Sequence, residues 1–248
     1  MCGFIYNVND FPLLEPLLDI AGYDEAEIRD IIRNRYLRPT DTVINLIPSR
    51  TGPRLLGATW WLATRADGSI DNRYNTFNAK AGKLTTSPMH TQHPRSIRSV
   101  VPAQGFCEWQ PVYKGGRLYS QLPGQPKPSA LPKPERKIQH LITQPDEGLM
   151  LLAAVSKLRL DEQGNPKVNT AVITLPPHQA FQDVHHKSFP LVLRPEELTR
   201  WLDPKQPWSE FDDLLNLDWF RDAFIARPVD AQCQPINNEF LKFEPDVE

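Results

Sequence analysis

At 248 residues, with 40% hydrophobic side chains, the chain can bury a continuous core, which excludes a disordered or fibrous protein. Its formal net charge of -2 does not hold long duplex DNA by bulk electrostatics, so any nucleic-acid contact is expected from a local basic patch. No stretch approaches the ~20 apolar residues that span a bilayer, and the start, MCGFIYNV, lacks the basic opening of a secretory signal. Proceeding along the chain, MCGFIYNV is rich in strand formers and can begin a sheet with Cys2 at the strand's end. Asp24 to Arg35 sets Ile28, Ile31 and Ile32 at helical spacing behind acidic groups, which predicts a short helix. Thr42 to Ile47 and Leu55 to Trp61 read as strands. Ser96 to Trp109 reads as a strand, a proline-broken bend and a second extended piece.

Gln121 to Lys137 is rich in proline and lysine without hydrophobic period, and is expected to be an extended loop. Three more strands are predicted at Leu149 to Val155, Asn169 to Leu175 and Phe189 to Leu193. Pro195 to Leu202 opens with proline and two glutamates, the expected start of a helix. Trp208 to Phe220 is predicted helical, and Phe224 to Val229 is expected as the last strand. Strands dominate, helices cluster near the two ends, and no linker divides the chain. The expectation is one α+β domain over residues 1–248, built on antiparallel strands in a closed or half-closed barrel with peripheral helices.

Chemistry starts at Cys2-Gly3. A small residue in second position permits removal of Met1, leaving an α-amine and a thiol two carbons apart. The amine has an intrinsic pKa of about 7.7 to 8, so part of it is neutral at cellular pH. It can condense with an aldehyde, and the thiol can then close a five-membered thiazolidine ring. The plainer alternative is a chance cysteine. In Gly105-Phe106-Cys107-Glu108-Trp109, a glutamate among apolar neighbours would have a raised pKa suited to proton transfer. On the opposite alternation, Phe106 and Trp109 would be inside and Glu108 in solvent. His185-His186, ahead of an apolar strand, offers an acid/base group, with surface histidines as the alternative. The amides and lysine of Tyr74 to Lys80 could orient an anionic substrate, or simply form a turn.

The three cysteines, Cys2, Cys107 and Cys233, form no CxxC pair, which argues against a disulfide framework and structural zinc. No metal and no small-molecule cofactor is expected, nor a membrane partner. A reducing cytoplasm is the expected compartment.

Met1-Cys2-Gly3, Asn78-Ala79-Lys80, Gly105-Phe106-Cys107-Glu108-Trp109 and the histidines ahead of Pro190-Leu191-Val192-Leu193 together resemble the SOS response-associated peptidase (SRAP) family. Its members commonly carry MCGR, N-A-R-x-E, G-[FW]-[FY]-E-W and H-x-R-x-P. The resemblance implies a barrel-like fold and a sensor of abasic sites in single-stranded DNA, nucleoid-associated in a prokaryote. Met1 would leave autocatalytically, and Cys2 would crosslink to the ring-opened sugar as a thiazolidine. Asn78 would hold the Cys2 end or the sugar, Glu108 would move protons, and a histidine would assist ring opening and a lyase-type reversal. Counting forward from Thr174 and Asp183-Val184 selects His185 as the family histidine and counting back from Pro190 selects His186; His185 is preferred because the family histidine follows an aliphatic residue, as His185 follows Val184.

Phe4, Lys80 and Gly82 replace an arginine, an arginine and a glutamate of the family pattern, and Lys187 and Ser188 blur a further arginine. Lysine replaces a bidentate guanidinium only in part. Positive charge remains at Arg73, Lys80, Lys83, Arg95 and Arg98, while Trp60, Trp61 and Phe77 are candidates for stacking on bases, with core packing the alternative and the expected role of at least one of them. Two other classes compete. An N-terminal-nucleophile amidotransferase also begins Met-Cys-Gly, yet the chain has no Asn-Gly dipeptide. A non-catalytic single-strand binding module would leave Cys2 incidental.

Overall fold

Runs such as TVINLI and MLLAAV are too uniformly apolar for strands with one wet face, and they are buried on both. A computed structural model describes residues 3–65, 67–84, 86, 96–124, 130–161, 166–217 and 220–246. The strands in chain order are β1 (Ile5–Tyr6), β2 (Gly22–Tyr23), β3 (Tyr36–Leu37), β4 (Thr42–Ile47), β5 (Arg54–Thr59), β6 (Asn78–Lys80), β7 (Ser96–Ala103) and β8 (Gly105–Val112). They continue with β9 (Arg136–Thr143), β10 (Met150–Leu160), β11 (Pro166–Leu175), β12 (Phe189–Pro190), β13 (Val192–Leu193), β14 (Phe224–Val229) and β15 (Leu241–Phe243).

One sheet runs β12-β11-β10-β7-β4-β5-β2, and a parallel pairing of Thr59 with Asn169 joins β5 back to β11. Strands β11, β10, β7, β4 and β5 thereby close into a five-stranded barrel, the closed form of the expected α+β architecture. Asn169 secures the seam through its side-chain N–H, which donates to the Trp61 carbonyl at 2.9 Å. The second sheet is β15-β14-β9-β8-β1-β3, antiparallel throughout.

Alternation sorts the barrel residues between two cores. Ile44, Leu46, Leu151, Ala153 and Ile173 pack with the helices, against Leu14, Ile28, Trp201 and Phe211. Val43, Ile47, Leu152, Ala154 and Val172 pack toward the second sheet, against Ile5, Phe106, Ile142 and Phe224. Among them Asn45, Ser99, Ser156 and Thr170 form a buried hydrogen-bonded chain, with links of 2.7, 2.7 and 2.9 Å. Burial without these mutual partners would be costly for each of them.

Several boundaries differ from expectation. A short helix α1 (Glu15–Leu18) precedes the predicted one, which forms as α2 (Glu25–Ile32). Asp24 caps α2 by accepting from the Glu27 N–H at 3.0 Å, but the helix stops before Arg35. Pro102 does not break β7. Strand β4 registers with β7 at Leu46–Val100, short of Pro102, so the missing N–H breaks no ladder bond on that side, and the bend comes at Gln104. Gly105 then starts β8 so close to β9 that a Cβ there would collide with the Ile142 carbonyl oxygen. Arg136 and Lys137, read as loop, open β9; residues 125–129 of that proline-rich segment lie outside the described residues.

Phe189–Leu193 is divided at Leu191, which donates to Ile173 (2.9 Å) and accepts from Ala153 (2.8 Å). Beyond Ala154 and Val172 the β10–β11 pairing ends, and β12 and β13 fill the opening between them. Pro195 starts a 3-10 turn ahead of α3 (Leu198–Leu202). The predicted helix from Trp208 shortens to a 3-10 turn and α4 (Asp212–Leu215). Phe224–Val229 forms as predicted but is followed by β15, which pairs with it. No helix among the described residues is long and apolar enough to cross a membrane.

Candidate active site

Strand alternation decides where Glu108 points. Phe106, Glu108, Gln110 and Val112 share the inward face of β8, and Glu108 is only 2% exposed, while Trp109 on the other face is 48% exposed. The side-chain arrangement that kept Glu108 in solvent and Trp109 inside is therefore reversed. Glu108 registers with His140 of β9, also buried. The beginning of the chain is fastened to the same strand: Ile5 and Tyr6 register with Phe106 and Gly105, and the Phe4 carbonyl accepts from the Cys107 N–H at 2.9 Å.

His185 arrives from the other side of the core. The 3-10 turn Gln179–Phe181 buries Phe181, the following Val184 is buried with it, and the His185 N–H donates to the Phe181 carbonyl at 2.8 Å. This fixes the imidazole so that Nδ1 lies 3.0 Å from Oε2 of Glu108. Burial pushes the Glu108 carboxyl up to about 7, although the Lys187 charge pulls the other way. Burial also holds His185 well below the ordinary histidine range, and His186 and Lys187 add to the effect. A neutral imidazole thus faces a carboxyl that ionises near neutrality. The shared proton can sit on Oε2 and be donated to Nδ1, or sit on Nδ1 and be donated to Oε2, which is the arrangement that proton transfer needs.

His186 lies beside His185, with ring centroids 6.1 Å apart, but it is His185 and not His186 that pairs with Glu108. The His186 ring stacks on Tyr119, with centroids 4.8 Å apart and planes 7° apart, and neither nitrogen has a hydrogen-bond partner among the described residues. Of the two histidines, geometry brings His185 to Glu108.

Tyr74 to Lys80 is not a simple turn. Asn78–Lys80 forms β6, parallel to Val172–Thr174 of β11, with Asn78 half-buried. Thr174 registers with Lys80 on one side and Pro190 on the other, so the Asn78 strand and the segment after the histidines flank one residue of β11. Between them lies a recess of about 310 Å³ lined by Lys80, Lys83, Thr174, Lys187 and Ser188. All three lysines are exposed, and Ser188 Oγ is buried with no hydrogen-bond partner among the described residues. Lys187, noted in the sequence only as blurring a family arginine, was not among the DNA-contact candidates. It stands beside the histidines in sequence, but its convergence with Lys80 and Lys83 exists only in the fold.

The aromatic candidates and two of the arginines are engaged within the fold. Trp60 is fully buried, donates its indole N–H to the Phe77 carbonyl (2.7 Å) and meets the Phe77 ring edge-on, so it cannot stack on a base. Trp61 is 7% exposed and donates to the Asp71 carbonyl, so it too is packing; Phe77 is left half-buried between them. Arg73 is engaged by Asp71 through two hydrogen bonds of 2.9 and 2.7 Å. Arg98 is buried, donates to the Trp201 and Asp203 carbonyls and lies over the Phe211 ring, supporting the helices. Cys2 and Arg95 lie outside the described residues. Among the described residues, no group of three or more His, Cys, Asp or Glu could hold a metal ion.

Comparison with known proteins gives a consistent family. The Bacillus subtilis (strain 168) "Abasic site processing protein YoqW" is 24% identical over 201 residues, covering 81% of this chain and 80% of its own. "Abasic site processing protein YoaM" of the same organism is 24% identical over 240 residues, covering 96% and 95%. A crystal structure of a Bacteroides thetaiotaomicron protein superposes with a TM-score of 0.70 at 18% identity, over 93% of each chain. One from Bordetella bronchiseptica gives 0.66 at 16% identity, covering 92% of this chain and 100% of its own. The family model described as "SOS response associated peptidase (SRAP)" matches residues 1–235, and the chain belongs to that family.

Proposed function

We propose that this protein processes abasic sites in single-stranded DNA by crosslinking the ring-opened sugar to Cys2. The observation that carries the reading is the buried Glu108–His185 pair, 3.0 Å apart, with its carboxyl raised to about 7. The tether of Phe4 to Cys107 supports it: two residues span at most about 7 Å, so Cys2 has a short reach from the neighbour of Glu108.

Hydrolysis of the Met1–Cys2 bond frees the α-amine, with Glu108 and His185 handling the protons. The amine adds to the C1′ aldehyde of the open sugar. Glu108, protonated, donates to the departing hydroxyl, and one water leaves to give an imine. The Cys2 sulfur then adds to the imine carbon while the thiol proton ends on nitrogen, closing the thiazolidine. The net change is loss of one water, with no redox step. Asn78 orients the sugar. His185 assists ring opening, accepting the anomeric hydroxyl proton through the pair. Lys80, Lys83 and Lys187 receive the flanking phosphates as point charges. The names of the Bacillus relatives support the same substrate class.

The test is a denaturing gel of the protein with single-stranded DNA carrying one abasic site. A shifted band is expected, absent with intact DNA and absent for Cys2→Ala. No band from protein that mass spectrometry shows to lack Met1 would overturn the proposal, and ammonia release from glutamine would move it to the amidotransferase class.

A further inference from the structure

Cys107 and Cys233 are 126 residues apart in sequence, yet their sulfurs are 3.5 Å apart and both side chains are buried. Cys107 belongs to β8, on the face opposite its neighbour Glu108. Cys233 belongs to the tight turn after β14, where its N–H donates to Asp230 (3.0 Å) and the Asp230 N–H donates to Gln234 (2.9 Å). At φ 54° Cys233 has the left-handed backbone that glycine adopts most readily. Cys233 nevertheless carries a side chain in that conformation, with its sulfur turned inward.

The surroundings favour reactivity of the pair. The Gln139 side-chain N–H donates to Cys233 Sγ at 3.6 Å, and the hydrogen bond from Cys107 holds the Cys233 thiol below its ordinary range. A recess of about 240 Å³ reaches Cys233 between Tyr6, Arg35, Arg227 and Gln234, room enough for a small oxidant.

We infer that Cys107 and Cys233 form a peroxide-oxidisable dithiol site that closes to an intramolecular disulfide. The Cys233 thiolate attacks one oxygen of hydrogen peroxide and the O–O bond breaks. Hydroxide leaves and takes up the thiol proton as water, giving a sulfenic acid. Cys107 sulfur attacks the sulfenic sulfur, the S–O bond breaks, and hydroxide leaves with the Cys107 proton as a second water. Two thiols lose two electrons and the peroxide is reduced to two waters. The sulfurs approach by about 1.5 Å to reach a bond of ~2.05 Å. The bond staples β8 to the turn after β14, and closing so long a loop stabilises the fold.

The site is tested on the full chain by dosing with hydrogen peroxide, alkylating and mapping peptides without reduction. Expected are a Cys107–Cys233 linked peptide about 2 Da lighter than its two parts, a melting temperature higher by several degrees, and reversal of both by dithiothreitol. Cys233→Ser should lose the linked peptide and the thermal shift together. If that variant does not fold, the reversible shift of the parent chain carries the test. Cys107 still alkylatable after Cys2 is fully oxidised, over-oxidation to sulfinic or sulfonic acids, or a disulfide to Cys2 would each overturn the proposal. None of these outcomes depends on the proposed function.

Discussion

Glu108 and His185 are enclosed and touch at 3.0 Å, whereas Lys80, Lys83 and Lys187 stand in solvent around a hollow of about 310 Å³. Lys187 is the link, since its charge also acts on the Glu108 carboxyl. On the proposed function, the contrast separates two physical tasks. Proton transfer needs a dry site and fixed geometry, which long-range sheet pairing supplies through β8 and the Phe181–Val184 anchor. Holding a flexible polyanion needs only charge within reach, and flexible lysines on separate segments suffice. If the division is right, damage to the first region slows chemistry at full occupancy, and damage to the second weakens binding without changing the bound rate.

The largest effect is expected for Glu108→Gln, which keeps shape and removes the titration. Crosslinking at saturating abasic DNA should slow by about 10²- to 10⁴-fold, the usual worth of a positioned acid/base group. An unchanged rate would take Glu108 out of the mechanism. The same variant should behave oppositely in thermal unfolding. The folded carboxyl at about 7 lies above its ordinary value of 4.5, so the folded state binds more protons between these pH values. Glu108 therefore favours the fold fully below pH 4.5, and that contribution is lost as pH rises to 7. Glu108→Gln should then gain up to about 3 kcal/mol relative to the parent at pH 8 and little at pH 4.5, read from denaturant melts.

His185→Asn should slow crosslinking by about 10- to 100-fold at saturating DNA. Because the proposed step uses protonated Glu108, the parent's rate should fall above pH 7, and the Glu108→Gln profile should lack that fall. Replacing Lys80, Lys83 and Lys187 by alanine should lower affinity and flatten the salt dependence, by about 0.7 in slope for each phosphate no longer neutralised. A changed rate at saturation would instead merge the two regions. The smallest effect belongs to His186→Asn, expected within about threefold of the parent at saturation, because its ring packs on Tyr119 and does not reach Glu108. A decline as large as that of His185→Asn would reassign the histidine.

Legibility in the sequence followed the range over which each feature is decided. TVINLI and Phe224–Val229 were readable residue by residue, because β-branched and apolar runs specify strands locally. Strand β6 was not, since three residues become a strand only by meeting β11 nearly a hundred positions later. The break at Leu191 depends likewise on the parting of β10 and β11. His185 was preferred to His186 on the family pattern alone, as the histidine that follows an aliphatic residue, and Glu108 was singled out by its apolar neighbours, although which face of β8 it occupies required the pairing. Trp60 and Trp61 were ambiguous in sequence because an aromatic side chain serves a core and a nucleobase equally well, and burial decides for the core. Lys187 and the Cys107–Cys233 approach were invisible, being convergences in space.

The barrel seam has a consequence for synthesis. Thr59 and its partner Asn169 are separated by about 110 residues, and at roughly 5–20 residues per second the ribosome delivers the second many seconds after the first. Until then the Thr59 end of β5, beyond its pairing with β2, has an unpaired edge open to wrong partners, and slower, cooler expression should raise the yield of folded chain. The same order of emergence means that His185 appears long after Met1. Any removal of Met1 that relies on Glu108 and His185 is therefore a late event, performed by a finished fold on its own first bond.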